Sequence, residues 1–325
     1  MKAVVLNKPG GVEELNLKNV EKPIPQDNEV LVKVKAAAVN RTDIVSREGT
    51  MEDLTGKILG VEVSGIVEDI GGNVDVPIGK KVMGLVNRGG YGEYVIMHKS
   101  FVMDMPDNLT FEEAAAIPEV FLTAYQTLFW LAGVKDNEKL LIHAGASGVG
   151  TAAIQLIKNL RTNVEVFVTA GSDEKLKLTQ SLGANHLINY KKQNFQDGIS
   201  NLTQNEGVNV ILDFIGAPYW QQNINSLSVD GRLVLIGILG GTIIKEFDLQ
   251  TLLQKRIQVT GTLLTPRSNE YKSRLKDDFL NDSKILFEQK KIKPIVDSVF
   301  TIENIKEAHT YMEENKNSGK IILTF

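Results

Sequence analysis

Hydrophobic and polar positions change rhythm once along this chain of 325 residues. Up to about residue 105, apolar residues recur with period two between glycines, prolines and asparagines: VLVKVKAAAV (30–39), GVEVSGIVEDIG (60–71), KKVMGLV (80–86) and GEYVIM (92–97). Alternation bounded by turn residues marks half-buried strands, and short strands at this spacing predict a β-rich, barrel-like unit. The opening MKAVVLNKPGG reads as a further strand and turn, because it lacks the charged and apolar regions of a signal peptide. After residue 110, short apolar runs alternate with helix-length segments. LLIHA precedes a helix over about 148–160, and VEVFVTA precedes one over about 173–182; HLINY, VNVILDFIG, RLVLIGILG and RIQVTGTL follow. This alternation predicts an α/β unit, a doubly wound parallel sheet with helices on both faces. Past about residue 265 come a charged helix, a strand near IVDSVF, a helix in IENIKEAHTYMEE and a last strand KIILTF. That tail is too short for a third domain and is expected to pack back on the first. The expected division is 1–120 with 266–325 against 121–265.

Length supports this division, since roughly 150 residues per domain implies about two domains. The most membrane-like segment, AAAIPEVFLTAYQTLFWLAG (114–133), is interrupted by Pro118, Glu119, Thr123 and Gln126 and reads as one helix buried between domains. A 42% apolar and 23% charged composition is that of a folded globular chain and excludes disorder. The formal net charge of −4 provides no field for nucleic acid or an anionic membrane. Lys290, Lys291 and Lys293 read as solvated helix-end residues. No cysteine is present, which removes disulfides, thiolate catalysis and thiolate metal ligands together. A cytoplasmic, reducing environment is the default expectation.

The chemistry begins at the turn in KLLIHAGASGVGTAAIQL (139–156). In a dinucleotide-binding (Rossmann) fold the first strand ends in a tight glycine turn, and the next helix points its N-terminal N–H groups at the pyrophosphate. Here the turn is Gly145, Ala146, Ser147, Gly148, Val149 and Gly150. Against the G-x-G-x-x-G spacing, Ser147 replaces the second glycine and Gly148 is added. A serine hydroxyl there is able to donate to a phosphate oxygen. The competing reading is that the glycines only let helix and strand pack closely.

The next strand tip selects the cofactor. An NAD site places an acid about 20 residues after the fingerprint to hold the ribose 2′-hydroxyl. The tip of VEVFVTAGSDEK offers Thr169, Ala170 and Gly171 instead; Glu165 lies at the strand's start and Asp173 inside the next helix. Ser172 is a natural N-cap, and Lys175 stands in the first turn, where a cation opposes the helix dipole unless an anion is bound. Gly171, Ser172 and Lys175, with Tyr190 at the end of the third strand, are therefore read as a 2′-phosphate site, and NADPH is expected over NADH. The plainer reading of Lys175 is an exposed lysine of no consequence.

The strings KPGGVEELNL, AAAVNRTDIVSREG, ILGVEVSG, AAAIPEVFLTAYQTL, LIHAGASGVGTAAIQL, VTAGSDEKL, INYKKQNF, ILDFIG and EAHTYMEENKNSGKIIL resemble, in this order and over essentially the whole chain, the medium-chain dehydrogenase/reductase superfamily. The resemblance is to its zinc-free quinone oxidoreductase (zeta-crystallin-like) branch, and it implies a GroES-like catalytic domain beside the Rossmann domain. Zinc alcohol dehydrogenases of the superfamily place a cysteine and a Gly-His-Glu where this chain has Asn40 and Gly60-Val61-Glu62. No metal is expected: His98, His143, His186 and His309 have no ligand spacing and read as ordinary strand or helix residues. A quinone accepts hydride without a Lewis acid, so the protein contributes mainly proximity in a dry cleft. The resemblance implies that Asn40 and Thr123 lie beside nicotinamide and acceptor. It also implies that Asp213, Gly216, Gly237, Leu239 and Gly240 line the nicotinamide half. Relatives carry a tyrosine where this chain has Met51, so a proton donor expected by analogy is missing; Tyr91 in RGGYGEY is a weak substitute. The resemblance further implies a homodimer joined through the edge strand RIQVTGTLL (256–264). A small-molecule quinone is the expected substrate, and a reductase of activated C=C bonds in enals or enones is the alternative. A weakly catalytic NADPH-binding structural or RNA-binding protein is the alternative of another class, against which the net charge speaks.

Overall fold

The computed structural model describes residues 1–50, 52–247 and 249–325, so Met51 and whatever follows from it lie outside the described residues. The chain divides into two compact units, Met1–Leu122 with Ser268–Phe325, and Thr123–Arg267.

The first unit contains β1 (Lys2–Leu6), β2 (Leu15–Asn19), β3 (Glu29–Val39), α1 (Arg41–Arg47), β4 (Glu62–Ile70), β5 (Lys81–Leu85), β6 (Tyr94–His98), β7 (Met103–Asp104), α2 (Phe111–Ala115) and the start of α3 (Pro118–Tyr125). The second contains β8 (Lys139–Ile142), α4 (Gly148–Leu160), β9 (Glu165–Ala170), α5 (Asp173–Ser181), β10 (His186–Asn189), α6 (Phe195–Leu202), β11 (Val208–Asp213), α7 (Trp220–Ser226), β12 (Leu227–Leu235), α8 (Leu249–Lys255) and β13 (Gln258–Gly261). The chain then returns to the first unit with α9 (Asn269–Glu288), β14 (Val296–Thr301), α10 (Ile305–Glu313) and β15 (Lys320–Thr324).

In the first unit the long strand β3 pairs with β4, β6 and β15, so the C-terminal strand becomes a sheet neighbour of a strand almost 300 residues earlier; β14 pairs in turn with β15. The run Ala36–Val39 is buried on both faces. Ala37 and Val39 face the main core, whereas Ala36 and Ala38 pack on Ala115 and Ala116, at the end of α2. Small side chains on that face let helix and sheet approach closely.

In the second unit the sheet order is β10-β9-β8-β11-β12-β13, with every pair parallel. Phe167, Leu141, Ile211 and Leu233 form one row in register across it, each at most 1% exposed. Such strands read as continuous apolar runs because helices cover both faces. The strand order reverses between β8 and β11, and ligands of such sheets bind outside the carboxyl ends of the strands at that point.

The segment at 114–133 is not one helix. Its chain runs as α2, α3 and a π-helical stretch Gln126–Leu131. Pro118 disfavours helical geometry at Ile117 and lacks an N–H, so a helix restarts there with proline in its first turn. Among the described residues no helix is long and apolar enough to cross a membrane.

Candidate functional site

The turn after β8 follows from its residue types. Ala144 adopts a left-handed conformation (φ +48°), and Gly145 N donates to Thr169 O at 3.0 Å, which ties the turn to the tip of β9. Gly145 and Ala146 are buried. A Cβ on Gly145 would sit 2.9 Å from Val168 Cβ, and one on Gly150 would sit 2.6 Å from the carbonyl oxygens of both Ala144 and Gly145. Ser147 is the N-cap of α4 and accepts from Gly150 N at 3.1 Å. That bond uses a lone pair of the hydroxyl oxygen and not its proton, so phosphate donation from Ser147 is compatible with capping. An α-helix cannot satisfy its first amides internally, here those of Gly148 and Val149, and these carry the positive end of its dipole. The turn fits a pyrophosphate.

At the tip of β9 the expected 2′-phosphate residues come together. A Cβ on Gly171 would meet Tyr190 Oη at 2.6 Å, so the glycine makes room for the phenol. Ser172 caps α5 by accepting from Lys175 N at 3.3 Å. Two carboxylates stand nearby: Asp173 pairs with Lys192 Nζ at 2.5 Å and accepts from Asn189 Nδ2 at 2.8 Å, whereas Glu174 accepts from its own backbone N–H and from the Ser172 hydroxyl, and these partners hold both below the usual carboxylate range.

The strand tips at β11 and β12 continue their pairing as loops. Ile236 N and Gly237 N donate to Asp213 O, Leu239 N to Phe214 O at 3.1 Å, and Gly240 N to Ile215 O at 2.8 Å. Gly216 has φ +84°, and a Cβ there would lie 2.7 Å from Gly241 O, so only glycine suits. Asp213, Gly216, Gly237, Leu239 and Gly240 thus form one ribbon. Asp213 is fully buried and accepts from Ile215 N at 2.8 Å, Gly216 N at 3.2 Å and Asn223 Nδ2 at 3.1 Å. Burial pushes its carboxyl up to about 6 despite those bonds, which act in the opposite direction. The carboxylate therefore shapes the loop.

His143, read from sequence as an ordinary strand residue, is the residue that links these pieces. It sits in the turn just beyond β8, fully buried, with Nδ1 2.9 Å from Thr169 Oγ1 and Nε2 2.7 Å from Asn223 Oδ1. Burial pushes the imidazole down to about 4, so it is neutral at pH 7.

In the first unit Asn40 is 4% exposed, and its amide faces inward. Its Oδ1 accepts from Lys320 Nζ at 2.5 Å and its Nδ2 donates to Glu62 Oε1 at 2.8 Å. Lys320 and Glu62 are themselves a buried ion pair at 2.7 Å, and Glu62 Oε2 accepts from Glu119 N, in the first turn of α3, at 2.7 Å. Thr123 is 5% exposed and lies on α3 just past the division between the units. Tyr91, expected as a weak substitute proton donor, is 0% exposed, with its hydroxyl bonded to Asp43 and 3.3 Å from His309 Nε2. Burial, with the Asp43 carboxylate beside it, raises that hydroxyl well above its ordinary value. The phenol is a packing element because its ring closes the β-domain core against Gly60, whose Cβ would lie 2.6 Å from Tyr91 Cδ1. No sequence pattern marks Lys320 or Asn223, which lie 258 and 80 residues from Glu62 and His143.

Residues 26–107 match the alcohol dehydrogenase GroES-like domain family and residues 148–279 the zinc-binding dehydrogenase family. A quinone oxidoreductase of Sus scrofa is 32% identical over 99% of this chain and 97% of its own length. The chain belongs to the medium-chain dehydrogenase/reductase superfamily. It falls in the quinone-oxidoreductase-like branch of that superfamily, and it is an oxidoreductase with an NAD(P)-binding fold. A synaptic vesicle membrane protein VAT-1 homolog of Danio rerio is 32% identical over 99% of the chain and 70% of its own length. A mycobacterial protein solved as a complex with NADPH superposes with a TM-score of 0.90 at 29% identity, covering 100% of both chains. Lys320 places a buried ammonium beside Asn40 and Glu62.

Proposed function

We propose that this chain is a zinc-independent, NADPH-dependent quinone reductase. The observation that supports the cofactor choice is the tip of β9, where Gly171, Ser172, Lys175 and Tyr190 gather, no acid stands on the strand tip itself, and the neighbouring carboxylates are engaged, Asp173 by Asn189 and Lys192 and Glu174 by its own backbone N–H and the Ser172 hydroxyl. Bound NADPH supplies the hydride. The protein's own residues bind and orient: the first turn of α4 takes the pyrophosphate, Lys175 opposes the 2′-phosphate charge, and the ribbon from Asp213 to Gly240 holds the nicotinamide end. Asn40 and Thr123 are the acceptor-side residues, and Lys320 with Glu62 sets the orientation of the Asn40 amide. Zinc independence is supported by this arrangement, because Lys320 already neutralises Glu62 and uses the Asn40 oxygen. A quinone suits such a site, since the hydroquinone anion is stabilised by its own aromaticity and takes its proton from solvent. Reduction of an enal or enone would need a proton at the α-carbon, and the burial of Tyr91 counts against that reading.

Replacing Lys175 by alanine is expected to weaken NADPH binding about tenfold or more and leave NADH binding within about twofold, the loss of one charge-assisted contact. Fluorescence titration with both cofactors, alongside turnover with 9,10-phenanthrenequinone and with an enal, reads this directly. An unchanged NADPH-to-NADH ratio would exclude the 2′-phosphate site, and faster enal than quinone turnover would move the acceptor class.

The homodimer is proposed through β13, which ends the parallel sheet and leaves Val259 and Leu263 substantially exposed. Light scattering should give twice the chain mass, and a monomer at micromolar concentration would exclude it.

A further inference from the structure

We infer that His143 is a positioning residue that couples the adenosine-side and nicotinamide-side loops of the proposed cofactor site, acting as a neutral strut with its proton on Nε2. This rests on the NADPH reading above. The chain of bonds has one consistent direction. Asn223 Nδ2 donates to Asp213 Oδ2 at 3.1 Å, so the same amide presents its oxygen to His143. Asn223 Oδ1 only accepts; the 2.7 Å contact therefore requires a proton on His143 Nε2. His143 Nδ1 then accepts from the Thr169 hydroxyl at 2.9 Å. Asp213 completes the series by accepting from the amides of Ile215 and Gly216.

All four side chains are buried, at 0–1% exposure, so no water substitutes for a missing member. The strut joins places that nothing local in the sequence connects. Thr169 is two residues before Gly171 on the 2′-phosphate side, and Asp213 opens the ribbon on the nicotinamide side. Around the imidazole, Phe195 and Tyr219 pack edge-on with ring centroids 4.7 and 4.9 Å away. The titratable groups facing it are Tyr219 and, through Asn223, Asp213. Both aromatic walls are uncharged at neutral pH, and among the described residues no carboxylate contacts the imidazole directly to compensate a second proton, which would bury a positive charge. A hydrogen-bond chain of this kind fixes the separation of the loops it joins, and a misplacement of about 1 Å in such a site carries a large functional penalty.

The test uses the full-length protein, His143→Gln and Thr169→Val, with two probes: NADPH, which spans both loops, and 2′,5′-ADP, which reaches only the adenosine side. The expected result is a Kd for NADPH raised about tenfold in both variants, with the Kd for 2′,5′-ADP changed less than about twofold. A melting temperature that falls while both Kd values stay at wild type would make His143 merely structural and overturn the inference, as would equal losses for the two probes. Nitrogen-15 NMR of the wild-type imidazole provides a check that does not depend on any variant folding. An Nε2–H neutral tautomer from pH 6 to 8 is expected, and an Nδ1–H tautomer or an imidazolium in that range would overturn it. If the wild type binds NADPH and the variants bind it equally well, this inference alone falls; if the wild type binds no NADPH, the cofactor reading falls with it.

Discussion

Lys320→Met is expected to destabilise the first unit by about 3–5 kcal/mol, the cost of leaving one partner of a buried ion pair alone. Lys320 is 3% exposed and Glu62 0%. The ammonium has three protons and three acceptors: Glu62 Oε1 at 2.7 Å, Asn40 Oδ1 at 2.5 Å and Val39 O at 3.2 Å. Methionine fills similar space and supplies none of these bonds, so Glu62 keeps only its neutral donors, Asn40 Nδ2 and Glu119 N. Differential scanning calorimetry should show the transition lowered by about 10 °C, from the roughly 2–4 °C per kcal/mol of domains this size. Adding Glu62→Gln should recover part of the loss, because the stranded charge is then gone. Since every partner lies in the first unit, NADPH affinity should stay near wild type while the KM for quinone rises through a reoriented Asn40. A single variant within about 1 kcal/mol of wild type would mean that the pair is not a stabilising element.

Gly150→Ala should reduce NADPH affinity by about a hundredfold. The added methyl would lie 2.6 Å from two carbonyl oxygens, Ala144 O and Gly145 O, and both belong to the backbone, so no side-chain rotation relieves the contact. The turn has to open or the first turn of α4 has to move, and either disrupts the Ser147–Gly150 cap. Overpacking of this kind costs about 1–3 kcal/mol, and a shift of about 1 Å in a positioning element costs about a hundredfold in function. Because the pyrophosphate is common to both cofactors, NADH should lose affinity by the same factor, in contrast to Lys175→Ala. Isothermal titration with each cofactor separates the two cases, and an affinity within about threefold of wild type would show that this turn does not hold the phosphates.

Much of the second unit was legible in the chain itself. The helix expected over about 148–160 is α4 at Gly148–Leu160, and the one expected over about 173–182 is α5 at Asp173–Ser181. Both are bounded by local signals, a serine cap at each start, and both follow apolar strands that stay apolar because the sheet is covered on both faces. Short polar helices were not legible. α7, in WQQNINS, has no apolar stripe, yet it carries Asn223. The segment at 114–133 was predominantly apolar, and its scattered polar residues set no period that reveals a break; Pro118 was the one local mark of a helix start.

The sequence by itself determined the alternation of strands and helices, the glycine turn with its serine cap, and the absence of an acid at the tip of β9. These depend on backbone sterics and periodicity within a few residues. The tertiary structure alone decided that Asn40 is held by Lys320, that Tyr91 closes a core, and that His143 bridges Thr169 and Asn223. Those contacts join residues 280, 218, 26 and 80 positions apart. Hydrogen bonds between buried polar groups carry no periodic signature along a chain. Their partners are chosen by which strand tips and helices the sheets bring within 3 Å, in an interior where an unpaired polar group is costly.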